Sequence, residues 1–179
     1  MKNYRFLLLA LALLLFKTAS ADSNPQFSTA GFYELPQSGR TVHSMNPAWR
    51  FYKGSAKGAE LVTFDDSRWE VVSLPHGLEY LPTEASGCIN YQGEAWYRKH
   101  FTPNEQLKGQ KLFLHFEAIM GKSKVYVNGK LLAEHYGGYL PVVLDVTEAI
   151  QWNKENLIAV WTDNSNDPAY PPGKTQEVL

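Results

Sequence analysis

The chain has 179 residues, with 17 Lys and Arg against 18 Asp and Glu, a formal net charge of −1, and an aromatic content of 13%. A near-neutral chain without basic clusters argues against nucleic acid and against an anionic membrane surface as partners. A single cysteine, Cys88, excludes an internal disulfide, so an exported domain of this sequence must be held by its core alone.

The first 21 residues read as an export leader. Lys2 and Arg5 supply the positive segment, Phe6–Phe16 is an uninterrupted apolar run of 11 residues, and Ala19-Ser20-Ala21 offers a cleavage site that places Asp22 at the new N-terminus. A bilayer span needs about 20 apolar residues, so no membrane attachment is expected after cleavage. The expected location is periplasmic or extracellular. Residues 22–179 keep 14 basic and 18 acidic side chains, a net charge of −4, and are long enough to bury a core. Within them Cys88 reads as a small buried apolar residue.

Residues 22–44 carry Pro25, Gly31, Pro36 and Gly39 among polar residues and read as an extended lead. From Trp49 onward, short strand-like runs alternate with turn signals. Trp49, Phe51 and Tyr52 open the first run. Phe64-Asp65-Asp66-Ser67-Arg68-Trp69 reads as a turn whose acidic and hydroxyl groups bond nearby amides. Val71-Val72-Ser73-Leu74 stops at Pro75, and 76–93 reads as a long loop, the kind that is functional or covered by another part of the protein. Ala95–Phe101 is the next strand, with Trp96 and Tyr97 read as core. In 111–116, Leu112, Leu114 and Phe116 share one face.

Asn128-Gly129 between two apolar runs predicts a two-residue hairpin turn, with Val125 and Val127 facing the core and Tyr126 the other side. Gly137-Gly138 reads as a tight turn. Val142–Val146 is strand-like, Thr147–Ile150 reads as one helical turn capped by Thr147, and Asn156–Trp161 is an apolar strand buried on both faces. Asp163-Asn164-Ser165 then leads into a tail with Pro168, Pro171, Pro172 and Gly173 and no closing strand. That ending suggests a polypeptide that continues past Leu179. Many short strands and almost no helix predict an all-β fold, a jelly-roll β-sandwich, over 45–179.

Five segments in order resemble the N-terminal sugar-binding domain of glycoside hydrolase family 2, a galactose-binding-domain-like jelly roll found in β-galactosidases, β-glucuronidases and β-mannosidases. They are Phe64–Trp69; Leu74-Pro75-His76; Ala95–Phe101; Val127-Asn128-Gly129 followed by His135–Tyr139; and Asp163-Asn164-Ser165 followed by Pro171-Pro172-Gly173. Gly77 departs from the family, which often has Asp after the Pro-His pair. The β-galactosidase branch is the nearest in pattern. The resemblance implies a parent enzyme that hydrolyses β-glycosidic bonds, with an immunoglobulin-like domain and a (β/α)₈ barrel as further parts of the same protein.

Retaining glycosidases use two carboxyl groups about 5–5.5 Å apart, and the resemblance places both on the barrel, so this chain is expected to hold no catalytic residue. Asn104-Glu105 looks superficially like the family's acid/base pair, but it reads as a solvated turn. His76, His100, His115 and His135 lack zinc-ligand spacing, and no metal or cofactor is expected in this segment. What remains is carbohydrate binding. The resemblance directs Asn90 and Tyr91, in the long loop, and Asp163 and Asn164, past the last strand, toward the substrate pocket; amide and carboxylate groups suit sugar hydroxyls. The alternative for Asp163-Asn164-Ser165 is a self-bonded turn. Two other functions stay open: a free-standing carbohydrate-binding module, and a structural domain without sugar contact. The sequence leaves the oligomeric state open, a homo-oligomer included.

Overall fold

The computed structural model describes residues 39–78, 91–165 and 167, and the backbone of 177–178. The leader 1–21, Cys88, Asn90 and the Pro-rich tail at 168–173 lie outside the described residues. The chain divides after His43. Of the first part only residues 39–43 are described, as exposed coil.

Among its described residues the second part carries ten strands: β1 Trp49–Lys53, β2 Glu70–Val72, β3 His76–Gly77, β4 Glu94–Phe101, β5 Phe113–Phe116, β6 Lys122–Val127, β7 Lys130–Tyr136, β8 Val142–Asp145, β9 Asn156–Asp163 and β10 Glu177–Val178. Six form one antiparallel sheet in the order β2-β1-β4-β9-β6-β7, and β5 pairs with β8 in a second sheet. This is the all-β sandwich that the strand pattern predicts. The central strands β4 and β9 run opposite each other over eight register pairs, from Glu94↔Asp163 to Phe101↔Asn156.

Strand alternation sends successive residues to opposite faces. On one face of the large sheet Trp49, Phe51, Tyr97, Val125, Val127, Ile158 and Val160 meet Leu114, Phe116 and Val142 from the small sheet, and this is the main core. The expected alternation in β5 holds: Leu114 and Phe116 are buried while Phe113 and His115 are exposed. Trp96 and Tyr97 are both buried, on opposite sides of the sheet. Trp96, Leu157 and Ala159 form a second cluster with Ala59, against which Phe64, Trp69, Tyr126 and Trp161 pack. Strand β9 is therefore buried on both faces, as its apolar run predicts.

The hairpin between β6 and β7 has positive φ at both turn residues, 52° at Asn128 and 82° at Gly129, the requirement that selects this dipeptide. The Asn128 side chain does more than turn. Its amide donates to Ala149 O and to Asn156 Oδ1, both at 2.8 Å, and its oxygen accepts from Leu157 N at 3.0 Å. The hairpin tip is thus tied to the start of β9.

Three expectations change. The Thr147–Ile150 segment does close as a single helical turn, with Val146 O accepting from Ile150 N at 3.2 Å, but its cap is Asp145, whose Oδ1 accepts from Thr147 N at 3.0 Å. Thr147 Oγ1 instead accepts from Leu112 N, just beyond the Phe113↔Asp145 end of the β5–β8 pair. A carboxylate two residues ahead reaches that amide, which frees the hydroxyl for another element. Of the predicted 76–93 loop, His76–Gly77 forms β3 and pairs with β10, so the tail does contribute a strand. A two-residue strand has too little period for its pattern to show.

His76 lies where β3 meets the core. Its ring packs on Phe51 with centroids 4.7 Å apart, and Nδ1 shares a hydrogen bond with the Tyr97 hydroxyl at 3.0 Å. Burial holds the imidazole's pKa below its ordinary value of 6.5, against a smaller opposing pull from Glu70. As pH falls through 6.5 the unfolded chain takes up this proton before the folded one does, so stability declines from there down to the folded pKa. We expect His76→Phe to shrink the fall in urea midpoint between about pH 7.5 and 5.5. An unchanged pH slope in the variant would remove His76 from that dependence.

Candidate substrate-facing corner

The predicted residues that are described gather at one end of the large sheet. There β4 begins, β9 ends and β6 begins, with Glu94, Asp163 and Lys122 in register across the three strands. Asn164 follows β9 and is 5% exposed. Its Nδ2 donates to Tyr91 O at 2.8 Å, its Oδ1 accepts from Gly93 N at 2.9 Å, and its own N donates to Gly93 O at 3.3 Å. Both ends of its amide are committed to the backbone, so Asn164 clamps the segment entering β4.

Tyr91 lies on that clamped segment. Its hydroxyl donates to Glu94 O at 2.8 Å, and Lys53 Nζ stands 5.2 Å from its ring centroid. Burial raises the phenol's pKa, with Lys53 pulling the other way. Asp163 is half-buried; its Oδ1 accepts from Ser165 N at 2.8 Å, the self-bonded turn weighed from the sequence. Asn90 lies outside the described residues, immediately before Tyr91 in the chain.

Sequence reasoning missed three participants. Glu94 accepts from Trp161 Nε1 through Oε2 at 3.1 Å while its backbone serves Tyr91. Lys53 reaches over from β1. Gly121 is packed so closely that a Cβ there would lie 2.3 Å from Asp163 O, and its φ is +86°. A lone glycine before a strand is the weak signal for such a close approach.

The other concentration of charge is at the second cluster. Arg98 donates to Asp66 Oδ2 at 2.6 Å and to the carbonyls of Ala59, Leu61 and Phe64. His100 Nε2 meets the same Asp66 oxygen at 2.8 Å, and its Nδ1 lies 3.1 Å from Glu155 Oε1. Burial pushes the Asp66 carboxyl's pKa up, but the bonds from Arg98 and His100 outweigh that and leave it lowered. Asp66 Oδ2 is shared by Arg98 and His100, and the remaining guanidinium nitrogens turn to backbone carbonyls, which suits a structural lock. Asn104 and Glu105 lie in an exposed 3₁₀ turn, where Asn104 Oδ1 accepts from Gln106 N.

The fold and this polar rim define a galactose-binding-like jelly roll. The chain belongs to glycoside hydrolase family 2, with residues 84–175 matching the family model described as the glycosyl hydrolase 2 galactose-binding domain-like domain. It is 42% identical over 135 residues to a β-galactosidase of Thermoanaerobacter pseudethanolicus, covering 75% of this chain and 18% of that protein. It is 33% identical over 138 residues to a β-glucuronidase of Formosa agariphila, covering 73% of this chain and 14% of that protein. Among solved structures, a Bacteroides uniformis β-glucuronidase superposes with a TM-score of 0.67 at 28% identity, over 76% of this chain and 17% of that one. The chain thus spans less than a fifth of the length of these relatives.

Proposed function

We propose that this chain is the N-terminal accessory domain of an exported family 2 glycoside hydrolase that cleaves β-galactosidic bonds. The observation that carries the substrate is the 42% identity to a β-galactosidase, above that to the β-glucuronidase relatives. The leader-like Met1–Ala21 supports export to the periplasm or beyond. In this reading the immunoglobulin-like and barrel domains belong to the same protein, and the barrel supplies both catalytic carboxyl groups.

The role of the corner follows from its bonds. In this reading Asn90 and Asp163 are the sugar contacts that the family resemblance implies, while Asn164 acts indirectly by fixing the backbone at Tyr91 and Gly93. The whole protein is expected to hydrolyse a nitrophenyl β-galactoside in preference to the β-glucuronide and β-mannoside, and the 179-residue chain alone to turn over none of them. Turnover by the chain alone, or no glycosidase activity in the whole protein, overturns the reading.

In the whole protein, Asn164→Ala should release the segment before β4. A displacement of about 1 Å in a positioning group costs on the order of 10²-fold in rate. We therefore expect a fall of that size in kcat/KM. Unchanged kinetics in a folded variant would separate Asn164 from substrate positioning.

A further inference from the structure

Ser123 on β6 lies directly opposite His135 on β7 and, on its other side, opposite Thr162 on β9. The three make a polar row on the core side of the large sheet, in line with buried Val125 and Val127. Thr162 is satisfied: its hydroxyl donates to Met120 O at 2.7 Å. Ser123 is 0% exposed, yet neither its Oγ nor the buried Nε2 of His135 has a hydrogen-bond partner among the described residues. Polar atoms buried in that way are costly unless something bonds them.

We propose that Ser123 Oγ and His135 Nε2 bind one ordered water molecule between them. Side chains opposite one another in an antiparallel pair have Cβ atoms about 4.5–5.5 Å apart, close enough for one bridging molecule to serve both. The imidazole nitrogen accepts or donates according to its tautomer, and water, which can do both, meets either tautomer and the hydroxyl as well. The Thr162 oxygen, whose proton goes to Met120, keeps lone pairs for a third bond in the same row. Next to this row the ladder closes with Gly137 N donating to Gly121 O at 2.9 Å. The water therefore cross-links β6 and β7 beside the corner where Gly121 packs on Asp163.

The test is a crystal structure of the whole protein at about 1.5 Å resolution. The expected result is one well-ordered water within about 3.2 Å of both atoms. A direct Ser123–His135 hydrogen bond, or a dry gap between them, overturns the proposal. A second measurement in solution is the double-mutant cycle of Ser123→Ala and His135→Phe. Each change alone should raise the unfolding equilibrium constant roughly tenfold, and the pair should fall clearly short of a hundredfold, because both remove the same bridge. Effects that multiply in full overturn it.

Discussion

Arg98→Ala is expected to lower the stability of the fold by about 3–5 kcal/mol, the range for breaking a buried ion pair from one side. The side chain is 0% exposed and bonds Asp66 and three backbone carbonyls of the 59–66 segment, with its guanidinium 5.3 Å from the Phe64 ring centroid. Truncation leaves Asp66 bonded to His100 and takes the guanidinium donors from the carbonyls of Ala59, Leu61 and Phe64, of which Leu61 O keeps its bond from Phe64 N at 3.2 Å. Arg98→Lys should recover part of the loss, since an ammonium keeps the charge but lacks the fork that reaches several acceptors together. The double variant Asp66→Ala/Arg98→Ala should cost less than the two single changes added, because the uncompensated carboxylate is gone. Urea denaturation measures this as a shifted midpoint at constant slope. A loss under about 0.5 kcal/mol for Arg98→Ala would mean that the 59–66 segment is held by its aromatic contacts alone.

Trp49→Ala should cost a similar amount, about 3–5 kcal/mol, for a different reason. Trp49 is 1% exposed in β1, packs against Phe116 of the small sheet at 6.4 Å between centroids, and donates its Nε1 hydrogen to Met45 O at 2.8 Å. Its removal opens a void between the two sheets that neighbouring backbone cannot fill, and leaves the Met45 carbonyl without this donor. The exposed Val71 on β2 supplies the contrast, with Val71→Ala expected to stay within about 0.5 kcal/mol of the parent. Equal effects at the two positions would contradict the placement of the core between the sheets.

Period-2 patterning made much of the sandwich legible. It placed Leu114 and Phe116 inward, sent Val125 and Val127 to one face and Tyr126 to the other, and marked β9 as buried on both sides. Asn128-Gly129 announced its hairpin because few residues accept positive φ at two successive positions. Those signals are local, and local sterics fix them. The short pairing of β3 with β10 was not legible, because two-residue strands form only when distant segments are brought together.

The same division separates the parts of the candidate site. That Asp163-Asn164-Ser165 turns the chain could be read from side chains that bond their own backbone, and Ser165 N does donate to Asp163. That Asn164 grips Tyr91 and Gly93, more than 70 positions earlier, follows only from the antiparallel register of β4 with β9. Arg98 stands at the same boundary. An arginine in an alternating strand reads as solvent-facing, and its burial arises because the 59–66 segment folds across it and turns carbonyls toward its guanidinium. Sequence alone determined the longer strands, their faces and the family resemblance, since these depend on neighbours a few residues apart. Tertiary structure decided which polar groups became clamps, because a hydrogen bond between remote segments exists only once the sheet has set their register.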